Sequence, residues 1–151
     1  MAEFGNTIVF PTPAGNERSG IMINGGSNNQ MIENTICDND YGIYISGSAT
    51  TGNIIEANFI GTDTSGTVAM GNDYSGVFIY EGDSTIVREN ILSANYVGVS
   101  AMSGATGLVI ESNLIGTDIT GANGIGNIIG ILNYSDSVRI IQNVISANSG
   151  T

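Results

Sequence analysis

Histidine, lysine and tryptophan are missing from this 151-residue chain, and cysteine occurs once. Each gap removes some chemistry. No imidazole or amine side chain is present to serve as a general base near neutral pH. Arg18, Arg88 and Arg139 are the only side-chain cations against 14 carboxylates, a formal net charge of −11. So few cations cannot neutralise a run of phosphates, and neither a nucleic-acid partner nor an anionic membrane surface is expected. Cys37, being alone, cannot close an internal disulfide. No apolar run approaches the roughly 18 residues that a membrane helix needs, so no membrane insertion is expected. No basic-plus-apolar leader opens the chain, which reads as a mature protein, an excised fragment or a cytosolic chain. The 22 glycines follow no Gly-X-Y period, which removes collagen. Disorder is opposed by a 41% apolar content placed at regular positions.

The chain repeats itself. Ile60–Asn72, Ile-Gly-Thr-Asp-Thr-Ser-Gly-Thr-Val-Ala-Met-Gly-Asn, returns without a gap as Ile115–Asn127, Ile-Gly-Thr-Asp-Ile-Thr-Gly-Ala-Asn-Gly-Ile-Gly-Asn. Self-similarity of this kind is the signature of a solenoid or an array. A glycine followed by a β-branched residue recurs at Gly20, Gly42, Gly76, Gly98 and Gly130. Removing a 12-residue insert, Gly61–Asn72 and Gly116–Asn127, from the two long intervals leaves a unit of about 20–22 residues. Every second unit thus carries the insert. Later in each unit an asparagine is followed two residues on by an aliphatic, at Asn34, Asn58, Asn90, Asn113 and Asn143, with Asn6 as a partial member.

Short alternating runs bounded by Gly, Asn and Ser read as strands, and the glycine density would destabilise a helix. The unit is too short for a WD40 blade and lacks the leucine-rich-repeat frame. Three short parallel strands per turn fit it. The run Asn34-Thr-Ile-Cys-Asp-Asn39-Asp-Tyr-Gly-Ile-Tyr-Ile45 resembles the repeats of right-handed parallel β-helix proteins, the pectate-lyase-like superfamily. The Ile-Gly-Thr-Asp…Gly-Asn insert is similar to that of bacterial secreted and surface proteins built from long arrays of such repeats. The resemblance implies an all-β solenoid of about five to six rungs over residues 6–151, with residues 1–5 as an extension outside the repeat. It also implies a secreted or cell-surface parent protein. For activity it leaves several classes open, because the superfamily includes lyases, epimerases, glycoside hydrolases and phage tailspikes.

On that scaffold an aligned position becomes a column of side chains stacked at the usual strand spacing. Ile21, Ile43, Val77, Val99 and Ile131 form one inward column, and Ile23, Ile45, Ile79, Ala101 and Asn133 the next. Met31, Ile55, Val87, Ile110 and Ile140 form a third, and Ile36, Ile60, Leu92, Ile115 and Ile145 a fourth. Asn34, Asn58, Asn90, Asn113 and Asn143 are expected to point inward at a bend as a carboxamide ladder. Two outward stripes are apolar: Met22, Tyr44, Phe78, Leu132, and Phe59, Ile91, Leu114, Val144. Exposed stripes mark interaction surfaces. Self-association through them or through the solenoid ends is expected, unless Val68, Met70 and Ile125 of the inserts fold back as a cover.

Few residues suggest chemistry. Asp63 and Asp118 hold equivalent insert positions and would suit Ca²⁺ or an acid/base pair, but Gly-Thr-Asp-x-x-Gly is also the composition of an Asx turn. No other cofactor is expected. Arg88 falls between Glu56 and Glu111 on adjacent rungs, as a cross-rung ion pair would. Cys37 aligns with Ser93 and Ser146 and reads as a free, non-catalytic thiol. Tyr41, Tyr44, Tyr74, Tyr80, Tyr96 and Tyr134 share no single column, which speaks against an aromatic sugar platform. The favoured function is a non-catalytic structural or interaction module; the alternative is a carbohydrate-active enzyme or polysaccharide-binding domain.

Overall fold

The computed structural model describes residues 7–8 and 16–150; the extension at residues 1–5 and the partial member Asn6 lie outside them. Every regular element among the described residues is a strand. One turn of chain runs Ser19–Asn24, Gln30–Ile32, Thr35–Ile36, and the next runs Tyr41–Ser46, Ile54–Glu56, Phe59–Ile60. Each strand pairs in parallel with its equivalent one turn on, which builds two five-stranded sheets, one six-stranded sheet and a two-stranded pair of Thr50–Thr51 with Gly82–Asp83. The sixth strand is Thr7–Ile8, paired with Thr35–Ile36. The all-β parallel solenoid expected from the repeat is therefore the observed fold.

Register follows the hydrophobic pattern. Ile43 is aligned with Ile21 and Val77, and Val99 with Val77 and Ile131. A strand places alternate side chains on opposite faces, so these residues all face the interior. Ile43, Ile45, Val77, Ile79, Val87, Leu92, Ile110 and Ile115 have no exposed surface. Burying each contributes about 1.5–3 kcal/mol, an upper value because the unfolded chain is already partly compact. Ile140, Ile145 and Asn133 of the last rung are the exposed members of these columns.

Two corners are held by asparagine. At the first, Asn34, Asn58, Asn90, Asn113 and Asn143 form the expected ladder. Each Oδ1 accepts both the backbone N–H and the Nδ2 of the preceding rung's asparagine, as between Asn58 and Asn90 at 2.9 and 2.9 Å. The residues before them, Glu33, Ala57, Glu89, Ser112 and Gln142, have φ between 54° and 57°, the tight left-handed bend that turns the amide inward. A second ladder of Asn16, Asn39, Asn72, Asn95, Asn127 and Asn148 runs along the next corner with the same bonds. The 12-residue inserts are redefined by it. Asn72 and Asn127 belong to the ladder wall, and the chain leaves that wall only between residues 62 and 70 and between 117 and 125.

Just beyond the second ladder lies the column Gly20, Gly42, Gly76, Gly98 and Gly130. A Cβ on Gly42 would stand 2.5 Å from the Gly76 carbonyl oxygen. The backbones of successive rungs approach too closely there for any side chain. This fixes the glycine at the second position of each long strand.

Candidate binding face

The outer wall is treated differently on two neighbouring faces. On the face of the short strands, Phe59, Ile91 and Leu114 point outward, as their alternation requires. Ile91 is nonetheless buried, and Phe59 and Leu114 are half-buried. Each excursion is a small hairpin closed by an antiparallel bridge, Thr62 with Ala69 and Thr117 with Gly124. The tips turn back over the stripe. A Cβ on Gly66, whose φ is +66°, would stand 2.7 Å from Phe59 Cε1, and one on Gly121 would stand 3.7 Å from Leu114 Cδ2. The two hairpins are joined, the Ile119 N–H donating to the Gly66 carbonyl at 3.0 Å. Of the two readings of the Phe59, Ile91 and Leu114 stripe, interaction surface or insert cover, the cover is the one observed. It is made by the glycine tips, one against the Phe59 ring and one against Leu114, and not by Val68, which is exposed. Val144, on the last rung, stays exposed.

Among the described residues, no hairpin lies over the face of the long strands. Tyr44 and Phe78 are paired in register and their rings stack, centroids 4.9 Å apart with 20° between planes. Tyr41 stands edge-on to both, 5.3 Å from Tyr44 and 5.2 Å from Phe78. Tyr74 closes the group 5.4 Å from Tyr41. Three of the six tyrosines, Tyr41, Tyr44 and Tyr74, therefore meet with Phe78 although they share no single column. Tyr41 and Tyr74 occupy columns beside that of Tyr44 and Phe78, and adjacent rungs bring them into contact. Burial, then Tyr44, Tyr74 and Asp40, raise the Tyr41 phenol above its ordinary pKa. Met22 is 53% exposed and Tyr74 54%, whereas Leu132 is half-buried. Farther along the same face Ser100 is buried, its hydroxyl 2.9 Å from that of Ser75.

The residues singled out for chemistry are engaged within the wall. Asp63 Oδ1 accepts the backbone N–H groups of Thr67 and Val68 at 3.2 and 3.0 Å, and the Ser65 hydroxyl donates to the same carboxylate at 2.8 Å. Burial would raise the Asp63 pKa, but these donors outweigh it and hold it below the usual value. Asp118 receives the Asn123 amide at 2.7 Å and the Thr120 hydroxyl at 2.6 Å, followed by their backbone N–H groups. Those bonds bring its pKa down to about 2 against the opposing effect of burial. Both carboxylates thus close their own hairpins, which is the Asx-turn reading. No group of three or more metal-ligating side chains occurs among the described residues. Arg88 bonds Glu56 at 2.8 Å, and Glu111 is its backbone partner on the other side. Cys37 is a buried, free thiol whose pKa is pushed up to about 11 by burial, then by Asp38 and Asp63.

Comparison with known proteins gives one match. The family described as right-handed beta helix region covers residues 19–151. No curated protein and no solved structure matches the chain.

Proposed function

This chain belongs to the right-handed β-helix family, and we propose that it serves there as a non-catalytic interaction module of an extracellular or cell-surface repeat protein. One contrast carries the reading: hairpin tips lie over the stripe at Phe59 and Leu114, while no hairpin among the described residues lies over the aromatic group at Tyr41, Tyr44, Tyr74 and Phe78. An uncovered apolar cluster on an acidic surface is a working surface. The absence of catalysis is supported by where the reactive groups are used. Asp63 and Asp118 close turns, Arg88 pairs with Glu56, and Cys37 is buried as the thiol. The surface location rests on the likeness of the insert to those of secreted arrays. Incubation with neutral and acidic polysaccharides should give no new reducing ends and no unsaturated sugar. Turnover abolished by changing a single wall carboxylate would overturn the reading.

A further inference from the structure

The open aromatic face includes a groove of about 450 Å³, with Met22, Tyr41, Tyr44 and Tyr74 on its walls. That is within the range of small-ligand sites, roughly 300–1,000 Å³. Ring geometry narrows the ligand class. A sugar ring stacks best on a flat aromatic platform, but the one nearly parallel pair, Tyr44 and Phe78, already stack on each other. Tyr41 packs edge-on against Tyr44 at 83°, so the rings that line the groove present no single flat platform. The negative faces of aromatic rings attract a cation. The rim agrees in sign: Glu17 and Asp40 line the same groove, in a chain of net charge −11.

We propose that this groove binds an organic ammonium ion, a quaternary or alkylated amine on a small molecule. This rests on the aromatic face being the working surface. The rings hold the alkyl shell of the cation, and Glu17 and Asp40 supply the countercharge. Arg18 also lines the groove and acts against the ligand. The site therefore has a signed electrostatic signature that a sugar or a neutral apolar ligand would not produce.

Choline is the probe, with its uncharged isostere 3,3-dimethylbutan-1-ol as control. The chain has no tryptophan, so emission from its six tyrosines reports directly on the titration, with calorimetry alongside. Choline should saturate in the millimolar range and the alcohol should not bind. Tyr44→Leu should weaken choline binding about tenfold, the scale of one lost cation–π contact. Asp40→Asn should weaken it several-fold and Arg18→Gln should tighten it several-fold. Both rim variants leave the solenoid interior untouched, so they keep the test intact if Tyr44→Leu folds poorly. Equal binding of the alcohol overturns the proposal, as does no saturable response to choline. Rim substitutions that leave the affinity unchanged or move it in the opposite directions also overturn it. None of these results would bear on the non-catalytic reading, which falls only on polysaccharide turnover. Retention by a neutral polysaccharide with no choline response would assign the groove to sugar instead.

Discussion

Two corners of the solenoid carry asparagine on every rung, while the third begins with Asn29 and Asn53 and then continues as Thr85, Leu108 and Val138. The same kind of bend is thus held in two ways. At the ladder corners, backbone groups face the interior and need a partner. Asn90 shows the solution: its Nδ2 donates to the Ile55 and Arg88 carbonyls at 2.9 and 2.8 Å, and its Oδ1 takes the Asn58 N–H. Backbone bonds join the rungs at both kinds of corner, Val109 N–H to the Thr85 carbonyl at 3.0 Å at the third and Ile91 N–H to the Asn58 carbonyl at 2.9 Å at the first. A left-handed residue precedes both, Ser84 with φ 50° and Glu89 with φ 57°. What differs is the side chain that fills the bend: an amide bonded along the ladder, or an aliphatic such as Leu108, fully buried in the core. A stacked amide is therefore one way to fill such a bend, and not a requirement of every bend.

Exchanging the two solutions should break the comparison most sharply. Leu108→Asn removes a buried aliphatic and places an amide between Thr85 and Val138, neither of which extends a carboxamide ladder. The expected loss is about 4 kcal/mol, from lost burial plus an unsatisfied polar group. Asn90→Ala follows at about 3 kcal/mol, because the Asn58 N–H and the Ile55 carbonyl lose their partner inside the wall. Asn143→Ala, on the open last rung, should cost less than about 1 kcal/mol, since water can replace the amide there. Urea midpoints of the three variants decide the matter. Similar losses for Asn90→Ala and Asn143→Ala would show that the ladder has no special role in the interior.

The first ladder was legible because its asparagines keep a constant offset from an inward aliphatic, Asn-x-Ile or Asn-x-Leu. The second was hidden by the excursions. Its members are separated by 23, 33, 23, 32 and 21 positions, and Asn72 and Asn127 pass as the last residues of an insert. The signal lay in Ser93-Ala-Asn95 and Ser146-Ala-Asn148, where an asparagine stands three residues after the aliphatic. Strand alternation and the inward columns were readable because their period is two. The aromatic group was not, because columns compare only equivalent positions, and Tyr41 meets Phe78 across columns. The cover over Phe59 is one of the two readings the sequence allows, with bulky residues expected to make it; Gly66 lies there instead.

The hairpins at the second corner sharpen the comparison through pH. The folded pKa of Asp118 is about 2, below the ordinary value of about 3.9. A depressed carboxylate contributes stability that is present above the unfolded pKa and is lost as pH falls through the folded one. The hairpin contribution should therefore be complete above about pH 4 and fade toward pH 2. Asp63 shifts in the same direction and adds to it. Asp118→Asn should lower Tm at pH 6 and flatten part of the decline between pH 4 and pH 2. An unchanged pH profile would mean that the carboxylate contributes nothing to the fold.

The smallest effect is expected at Cys37, two residues before Asn39 of the second ladder. The equivalent residue two rungs on is Ser93, whose hydroxyl donates to the Thr117 carbonyl at 2.8 Å and accepts the Gly116 N–H at 3.2 Å. Gly61 and Thr62 stand to Cys37 as Gly116 and Thr117 stand to Ser93, and Gly61 N–H bonds the Ile36 carbonyl just as Gly116 N–H bonds that of Leu92. A serine at 37 therefore finds a donor and an acceptor already in position, which offsets the desolvation of its hydroxyl. Cys37→Ser should change stability by less than about 1 kcal/mol and leave binding at the aromatic groove intact. In the parent chain the thiol, fully buried and raised to about pH 11 in its pKa, should react with iodoacetamide only as fast as the wall opens. Rapid alkylation of the folded protein, or loss of binding in Cys37→Ser, would show that this corner is more open than the continuous ladder beside it implies.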